Sequence, residues 1–195
     1  MRWVRSLFRI FAMLAVIGFL CVITGASDKL LFYAHVARLY MQSPDSRLAM
    51  PLENLSKKAI ADTWQAPRGD GRRHEGQDIF APRGTPILSA TNGFIYKIGE
   101  NNLGGQTVWV IGAAGRVYYY AHLDSYAKGI AVGDRVTTRT VLGYVGTTGN
   151  AQGTPPHLHF GVYTATGAIN PLPLLTDRIA PVVTKKKETL VSRKA

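Results

Sequence analysis

The sequence predicts a mainly β domain, built on a small antiparallel sheet and preceded by an N-terminal hydrophobic helix. Between residues 64 and 175, short β-rich runs alternate with turns rich in Gly, Pro and Asn. No stretch in this region repeats at the helical period for more than about two turns. Residues 10–26, in contrast, form one uncharged apolar run. A chain of 195 residues accommodates one compact domain with some extra sequence.

Six runs have the length and composition of strands, and one has those of a helix. The predicted strands are residues 86–90, 93–98, 107–111, 117–122, 141–145 and 157–163. Residues 29–41 predict a short helix with a broad apolar face, in which the isolated His35 is more typical of packing or surface than of a ligand. Residues 42–58 contain two prolines and scattered charges, which indicates a linker.

The amino terminus has the pattern of a targeting segment. Arg2, Arg5 and Arg9 precede the uncharged run 10–26, whose 17 residues lie between a long signal sequence and a short membrane span of about 17–25 residues. Whether the run is a signal sequence or a membrane span, the rest of the chain is predicted to be exported. An uncleaved anchor is favoured, which predicts a single-pass protein of the cytoplasmic membrane with its folded domain outside. Cleavage after the small residues 24–26 would instead release a secreted protein.

The net charge of +11 is concentrated at the two ends of the chain. Residues 1–58 carry a net charge of +5, residues 59–175 only +2, and residues 176–195 +4. A nucleic-acid-binding domain concentrates its basic residues on the folded part, so this distribution disfavours nucleic acid as a partner. The predicted organisation is therefore a signal segment (1–26), a juxtamembrane helix and linker (27–58), a folded domain (59–175) and a basic tail (176–195).

The candidate metal-binding and catalytic residues are mainly histidines. The single cysteine, Cys21, excludes an intrachain disulfide and a cysteine-based structural zinc site. Four of the five histidines lie in the β domain, in three pieces: His74-x3-Asp78, His122 and His157-x-His159. Imidazole nitrogens with one carboxylate suit zinc and leave a fourth position open, which is typical of catalytic zinc sites. The alternative is a set of unrelated histidines paired with carboxylates or backbone.

Strand alternation predicts which way these histidines face. In the run HLHFGV (157–162), both histidines point to one face and the apolar side chains to the other. In the run VYYYAH (117–122), the same alternation puts His122 on the face of Tyr118 and Tyr120, from which it could join the histidines of a neighbouring strand. The helical HExxH motif is absent, because an aspartate occupies the position four residues after His74.

Three segments together resemble the lysostaphin-like, LytM-type family of zinc metalloendopeptidases. They are GRRHEGQDIFAPRGTP (71–86), YAHLD (120–124) and GTTGNAQGTPPHLHFGV (146–162), and the resemblance spans roughly residues 60–175. It implies a small antiparallel β scaffold, one zinc ion per chain, and hydrolysis of peptide bonds in the cross-links or stems of bacterial peptidoglycan. The N-terminal segment would attach this activity to the membrane.

The resemblance also implies a role for each site residue. The zinc ligands would be His74, Asp78 and His159, and the non-ligand catalytic residues would be His122 and His157, either of which could be the general base. A catalytically silent protein that binds the wall or activates an amidase is the alternative within this family, and the complete ligand set argues against it. A zinc peptidase acting on exported proteins stays open.

Overall fold

The computed structural model describes residues 26–69 and 71–178, together with residues 15, 16, 18, 19 and 22. Most of the predicted hydrophobic segment 10–26 therefore lies outside the described residues, and so does most of the basic tail. Within the described residues, no helix is both long enough and apolar enough to cross a membrane.

From residue 26 onward, the part of the chain that the structure describes has one α-helix, α1, followed by a series of short strands. Helix α1 spans Ala26–Tyr40, close to the prediction. The strands are β1 (Leu48–Ala49), β2 (Gln77–Phe80), β3 (Pro86–Leu88), β4 (Gly93–Asn101), β5 (Gly105–Ile111), β6 (Val117–Tyr126), β7 (Arg135–Val136), β8 (Val141–Val145), β9 (His157–Thr164), β10 (Gly167–Ile169) and β11 (Leu175–Thr176). All six predicted strands are present. The strands that the sequence did not predict have two to four residues, too few to show a periodic pattern.

Antiparallel pairing builds the main sheet, as predicted. In the part of the chain that the structure describes, β10, β9, β6, β5, β4 and β7 lie side by side in that order. Strand β2 also pairs with β9, and β8 joins β6 to β3. Strand β9 is therefore central, with β6 along one edge and β2 followed by β10 along the other.

The hydrophobic core lies on one face of β6 and β9. Leu158, Phe160 and Val162 alternate along β9 and are fully buried, which confirms the alternation predicted for this strand. Tyr118 and Tyr120 of β6 are buried with them. The intervening side chains of β9 point to the opposite face, where the candidate site lies.

Helix α1 packs against the start of β4 through aromatic contacts. The ring of Phe32 meets Phe94 edge-on at a centroid distance of 6.0 Å, and the ring of His35 stacks on Phe94 at 5.3 Å. His35 is thus a surface packing residue, in agreement with its predicted role. At the end of the helix, Tyr40 lies against Gly115.

Part of the predicted linker belongs to the core. Leu48, Met50 and Leu52 are at most 1% exposed, and β1 pairs with β11 in parallel. The sequence assigned these residues to a linker because the two prolines and the scattered charges obscure the alternation of apolar side chains. The packed unit therefore begins well before residue 59.

The start of the predicted basic tail is also part of this unit. The Arg178 guanidinium donates hydrogen bonds to the backbone carbonyls of Met50, Ser89 and Thr138. These carbonyls come from three separate segments, so one side chain fastens the β1 region and two loops together. A guanidinium suits this role because its donors diverge in a rigid plane.

We expect Met50→Ala to destabilise the full chain by about 2–5 kcal/mol, since it removes a fully buried side chain and leaves a cavity. Met41→Ala is the matched control, because Met41 is 88% exposed and its loss should change stability by less than about 0.5 kcal/mol. Chemical denaturation of both variants measures the difference. Equal stability of the two variants would show that residues 48–52 are the linker predicted from sequence.

Candidate metal centre and groove

The pairing of β2 with β9 brings two of the predicted ligands together. Asp78 is the direct antiparallel partner of His159, and Phe80 is the partner of His157. Ala121 of β6 flanks His159 on its other side. Residues paired in this way have neighbouring side chains on the same face of the sheet. The two strands thus place a carboxylate beside an imidazole without any contribution from a loop.

Three predicted ligand atoms converge. His74 Nε2 lies 2.8 Å from His159 Nδ1 and 3.0 Å from Asp78 Oδ1, and His159 Nδ1 lies 3.1 Å from Asp78 Oδ1. All three residues are largely buried. The atoms form a nearly equilateral triangle that is suited to hold a metal ion above its plane.

The triangle fits zinc in both its dimensions and its donors. In tetrahedral zinc sites the bonds are about 2.0–2.1 Å, which separates the ligand atoms by about 3.3 Å. The observed separations are a few tenths of an ångström shorter, so a small expansion would admit the ion. Two imidazoles and one carboxylate also form the donor set of catalytic zinc sites that keep a fourth position open.

The Asp78 carboxylate is stabilised in its charged form. Burial alone would raise its pKa, but its contacts with His159, His74 and Arg68 outweigh that effect and hold the pKa well below its usual range. Arg68 Nη2 bonds to Oδ2 at 2.7 Å, whereas Oδ1 faces the two histidines. The arginine therefore leaves one carboxylate oxygen directed at the metal position.

Backbone hydrogen bonding fixes the tautomer of His74. Its Nδ1 lies 2.7 Å from the carbonyl oxygen of Thr63. A carbonyl oxygen only accepts, so Nδ1 carries the proton and Nε2 presents its lone pair to the metal position. The hydroxyl oxygen of Thr63 also accepts a hydrogen bond from the backbone N–H of Asp78. A single residue thus orients two of the three ligands.

Gln77 holds Thr63 in place, and sequence analysis missed it. Gln77 is fully buried, and its Oε1 accepts from the backbone N–H of Thr63 at 2.9 Å. Its amide nitrogen donates to Asp62 Oδ1 at 2.6 Å and to Asn170 Oδ1 at 3.1 Å. Because Gln77 lies on β2 between the two ligands of the HxxxD motif, this network joins β2 to the segment that orients them.

Gly76 lies against the third ligand. A Cβ atom at this position would approach His159 Cε1 to 2.6 Å and the carbonyl oxygen of Phe160 to 2.8 Å, closer than real Cβ contacts allow. The glycine in the middle of the HxxxD segment therefore lets β2 approach β9 closely enough for Asp78 to meet His159.

The two histidines predicted to be catalytic flank the triangle. His157 Nδ1 lies 2.9 Å from the carbonyl oxygen of Pro155, and His122 Nδ1 lies 2.8 Å from that of Thr148. Both Nδ1 atoms therefore donate, and both Nε2 atoms carry the lone pair. His157 Nε2 is 3.9 Å from Asp78 Oδ1. The ring centroids of His122 and His157 are 4.9 Å apart.

His122 reaches this face by breaking the alternation of β6. Its φ of 64° is in the left-handed region, and the register between β5 and β6 shifts next to it, as at a β-bulge. Sequence analysis placed His122 on the face of Tyr118 and Tyr120. That face is wrong, because both tyrosines are in the core and the bulge turns His122 to the opposite side.

Two turns pack together behind His122. Gly105 and Gly149 both have positive φ, and the backbone of each occupies the space where the other would carry a Cβ atom. Thr148 sits in the same contact: its hydroxyl donates to the carbonyl of Leu123 and accepts from the backbone N–H of Gln106. The Thr148 carbonyl that orients His122 is thereby held from two sides.

These residues lie in a groove of about 1150 Å³. One wall comes from residues 65, 68, 69 and 72–75 and includes Arg68, Arg72 and Arg73, and the other comes from residues 101, 103, 104, 150, 151, 154 and 155. Aromatic side chains complete the lining; they are Phe80, Trp109, Tyr119 and Tyr163. Sequence analysis did not identify these aromatic residues. The register of β2 on β9 places Phe80, which is 55% exposed, beside His157.

A family model agrees with this geometry. The model described as Peptidase family M23 matches residues 72–171, about half of the chain. The chain belongs to this family. The match begins just before His74 and includes all five predicted site residues, and it confirms the lysostaphin-like resemblance of the sequence.

Relatives of this M23 chain include several wall enzymes. The L-Ala–D-Glu endopeptidase of Bacillus subtilis (strain 168) is 39% identical over 126 residues, which cover 61% of this chain and 39% of that protein. The peptidoglycan DD-endopeptidase ShyC of Vibrio cholerae is 30% identical over 124 residues, 64% of this chain and 28% of that protein. The matched segments thus cover well under half of these relatives.

A solved structure has the same fold. The catalytic domain of lysostaphin from Staphylococcus simulans superimposes with a TM-score of 0.53 and 31% sequence identity, covering 60% of this chain and 92% of that domain. The β domain described above therefore corresponds to nearly the whole of that catalytic domain.

We expect Gln77→Met to weaken metal binding, because it keeps the side-chain volume but releases Thr63, which orients His74 and Asp78. Loss of comparable outer contacts lowers metal affinity about 10–100-fold. Calorimetric titration with zinc measures the effect, and the exposed Gln152→Met is the matched control. Unchanged zinc affinity alongside a lower melting temperature would mean that the Gln77 network only supports the fold.

Proposed function

We propose that this protein is an exported, membrane-anchored zinc endopeptidase that hydrolyses peptide bonds in the stems or cross-links of peptidoglycan. One observation carries the proposal: the ligand triangle of His74, Asp78 and His159 lies in an open groove, with the rings of two further histidines, His122 and His157, beside it. Membership of the M23 family and the wall enzymes among its relatives support the same reaction class.

A zinc ion bound by the three ligands would supply a Lewis acid that acidifies water and polarises the scissile carbonyl. The protein's own groups would position the reactants. The groove receives the peptide, and the Nε2 atoms of His122 and His157 face the bond to be cut. In their fixed tautomers these atoms accept a proton from the attacking water and, once protonated, donate to the leaving group or to the developing oxyanion.

His122 is neutral at physiological pH. Burial lowers its pKa to about 4, and the hydrogen bond to Thr148 only partly opposes this effect. A neutral imidazole with its proton on Nδ1 can accept a hydrogen bond at Nε2 throughout the neutral range. His122 is therefore suited to orient water by accepting a hydrogen bond from it.

A silent role in wall binding or amidase activation is less well supported. Such a protein would not need three convergent ligand atoms, two flanking histidines in fixed tautomers, or a buried network that orients the ligands. All of these features are present here. These features support an enzyme rather than a silent protein.

Turnover of purified sacculi tests the proposal. We expect the full-length protein to release peptides from sacculi, a chelator to abolish the release, and added zinc to restore it. Alanine variants distinguish the metal ligands from the catalytic histidines. His159→Ala, His74→Ala and Asp78→Ala should lower zinc occupancy, together with thermal stability at limiting zinc, because a bound metal stabilises only the folded state.

His157→Ala and His122→Ala should retain about one zinc ion per chain and lose about 100-fold or more in turnover, the scale expected when a positioned acid–base or oxyanion group is removed. Metal analysis beside turnover measures both quantities. Loss of zinc from His157→Ala with retention by His159→Ala would exchange the two roles. Full activity after complete removal of metal would overturn the zinc mechanism.

The proposed location rests on the three arginines that precede the uncharged run 10–26. We expect fractionation to recover the full-length protein with the cytoplasmic membrane, and protease added from outside to digest the folded domain. Recovery in the soluble cytoplasm would exclude export. A soluble exported form without residues 1–26 would show that the segment is a cleaved signal.

A further inference from the structure

One side of helix α1 is apolar, and no described part of the domain covers it. Leu30 is 71% exposed, and Leu31, Tyr33 and Met41 are exposed as well. The outer side of a helix that packs on a soluble domain normally carries charged or polar residues. A continuous apolar surface in that position is typical of a contact with a further partner.

Helical periodicity separates this surface from the side of α1 that packs on the domain. Phe32 contacts Phe94, and Leu39, two turns after Phe32, is buried. Residues three, four and seven apart lie on the same side of a helix. The opposite side carries exposed apolar residues at this spacing, which are Leu30, Ala34, Ala37 and, in the turn after the helix, Met41. These four residues are hereafter the outer face of α1.

Amphipathic side chains border the outer face. Tyr33 and Tyr40, seven residues apart, lie along one side of it, and Leu31 and Arg38 lie along the other. A tyrosine combines an apolar ring with a polar tip, and an arginine can lay its apolar stem along a surface while its charged group reaches water. Such residues are typical of the headgroup level of a bilayer.

The position of α1 in the chain brings the outer face close to the proposed anchor. The uncharged run 10–26 ends at the residue where α1 begins. An extended chain spans at most about 3.6 Å per residue, so the Cα atom of Leu30 lies within about 15 Å of that of Ala26. If the run crosses the membrane, the first turn of α1 is therefore at the outer surface of the bilayer.

We propose that the outer face of α1 lies in the interfacial layer of the membrane lipids, while the inner side of the helix packs on the β domain. The partner is a lipid surface, which the helix contacts by burying apolar side chains. This inference rests on the proposed anchoring and goes beyond it, because an anchor alone would leave the domain free to turn on its tether. Helix α1 contributes no side chain to the lining of the groove, so contact with lipid leaves the groove-lining side chains available to substrate.

A second copy of the chain fits the outer face less well than lipid does. A coiled-coil seam extends over at least three to four heptads, whereas the outer face runs from Leu30 to Met41, fewer than two heptads. Two of its four positions are alanines, which bury little apolar area. The exposed Leu31 and Tyr33 widen the apolar surface beyond a narrow seam, and a broad apolar face is what helices in a membrane interface present to lipid.

Fluorescence of the full-length protein in vesicles of phosphatidylethanolamine and phosphatidylglycerol tests the proposal. In a Cys21→Ala background, which removes the single native cysteine, Ala34→Cys places a nitrobenzoxadiazole label on the outer face. Ala165→Cys is the matched control, because Ala165 is an exposed alanine in the turn between β9 and β10. We expect lipids with a nitroxide on the acyl chain to quench the label at position 34, at a depth of about 5–10 Å in the interfacial layer. The label at position 165 should stay unquenched.

Leu30→Gln and Met41→Gln together should abolish the quenching at position 34, because they remove the two large apolar side chains of the outer face. The protein should still float with the vesicles, since the proposed anchor is unchanged. Its melting temperature in detergent should equal that of the parent protein, because substitutions of exposed side chains rarely affect stability. Unchanged quenching in this double variant would overturn the proposed role of the outer face.

The remaining outcomes separate this inference from the proposals on which it rests. Flotation with an unquenched label at position 34, or equal quenching at positions 34 and 165, would overturn the lipid contact and leave the anchor in place. An emission shift to shorter wavelength that depends on protein concentration and not on the nitroxide would place a second copy on the outer face instead. Failure to float would contradict the anchor and the inference with it. Hydrolysis of sacculi by the same samples tests the peptidase function independently.

Discussion

The site depends on one structural constraint, the register of β2 against β9. That register makes Asp78 the cross-strand partner of His159 and Phe80 the partner of His157. A shift by one residue would send Asp78 to the core face and remove it from the groove. Gly76 allows the close approach that this pairing needs, and the apolar residues of β9 fix the register from below by filling the core. One face of β9 therefore packs in the core, and its other face carries His157 and His159.

The backbone around the sheet then sets the tautomers of three histidines in the site. Carbonyl oxygens of Thr63, Thr148 and Pro155 each accept from the Nδ1 atom of a different histidine. All three rings consequently present a lone pair at Nε2. These carbonyls belong to loops that are themselves anchored, by Gln77 in one case and by the packed glycine turns in another. The loops therefore determine the chemical state of the histidines as well as the shape of the groove.

The same architecture connects the site to the ends of the chain. Residues 48–52 and Arg178 close the core beneath the sheet, and α1 docks through Phe32 and His35 on the first residues of β4. The segment between the proposed anchor and the domain is thus packed along much of its length. In an anchored protein this packing would limit the orientations that the groove can take relative to the membrane.

The sequence by itself determined the fold class, six of the strands, the lysostaphin-like resemblance and the grouping of the histidines, because alternation and motif spacing are local patterns. It could not place His122, whose direction depends on a bulge created by pairing with β5. It also assigned Leu48, Met50 and Leu52 to a linker, and gave no reason to connect Gln77 to Thr63. The tertiary structure alone decided these points, since each depends on contacts between segments distant in the chain, and local pattern carries no information about such contacts.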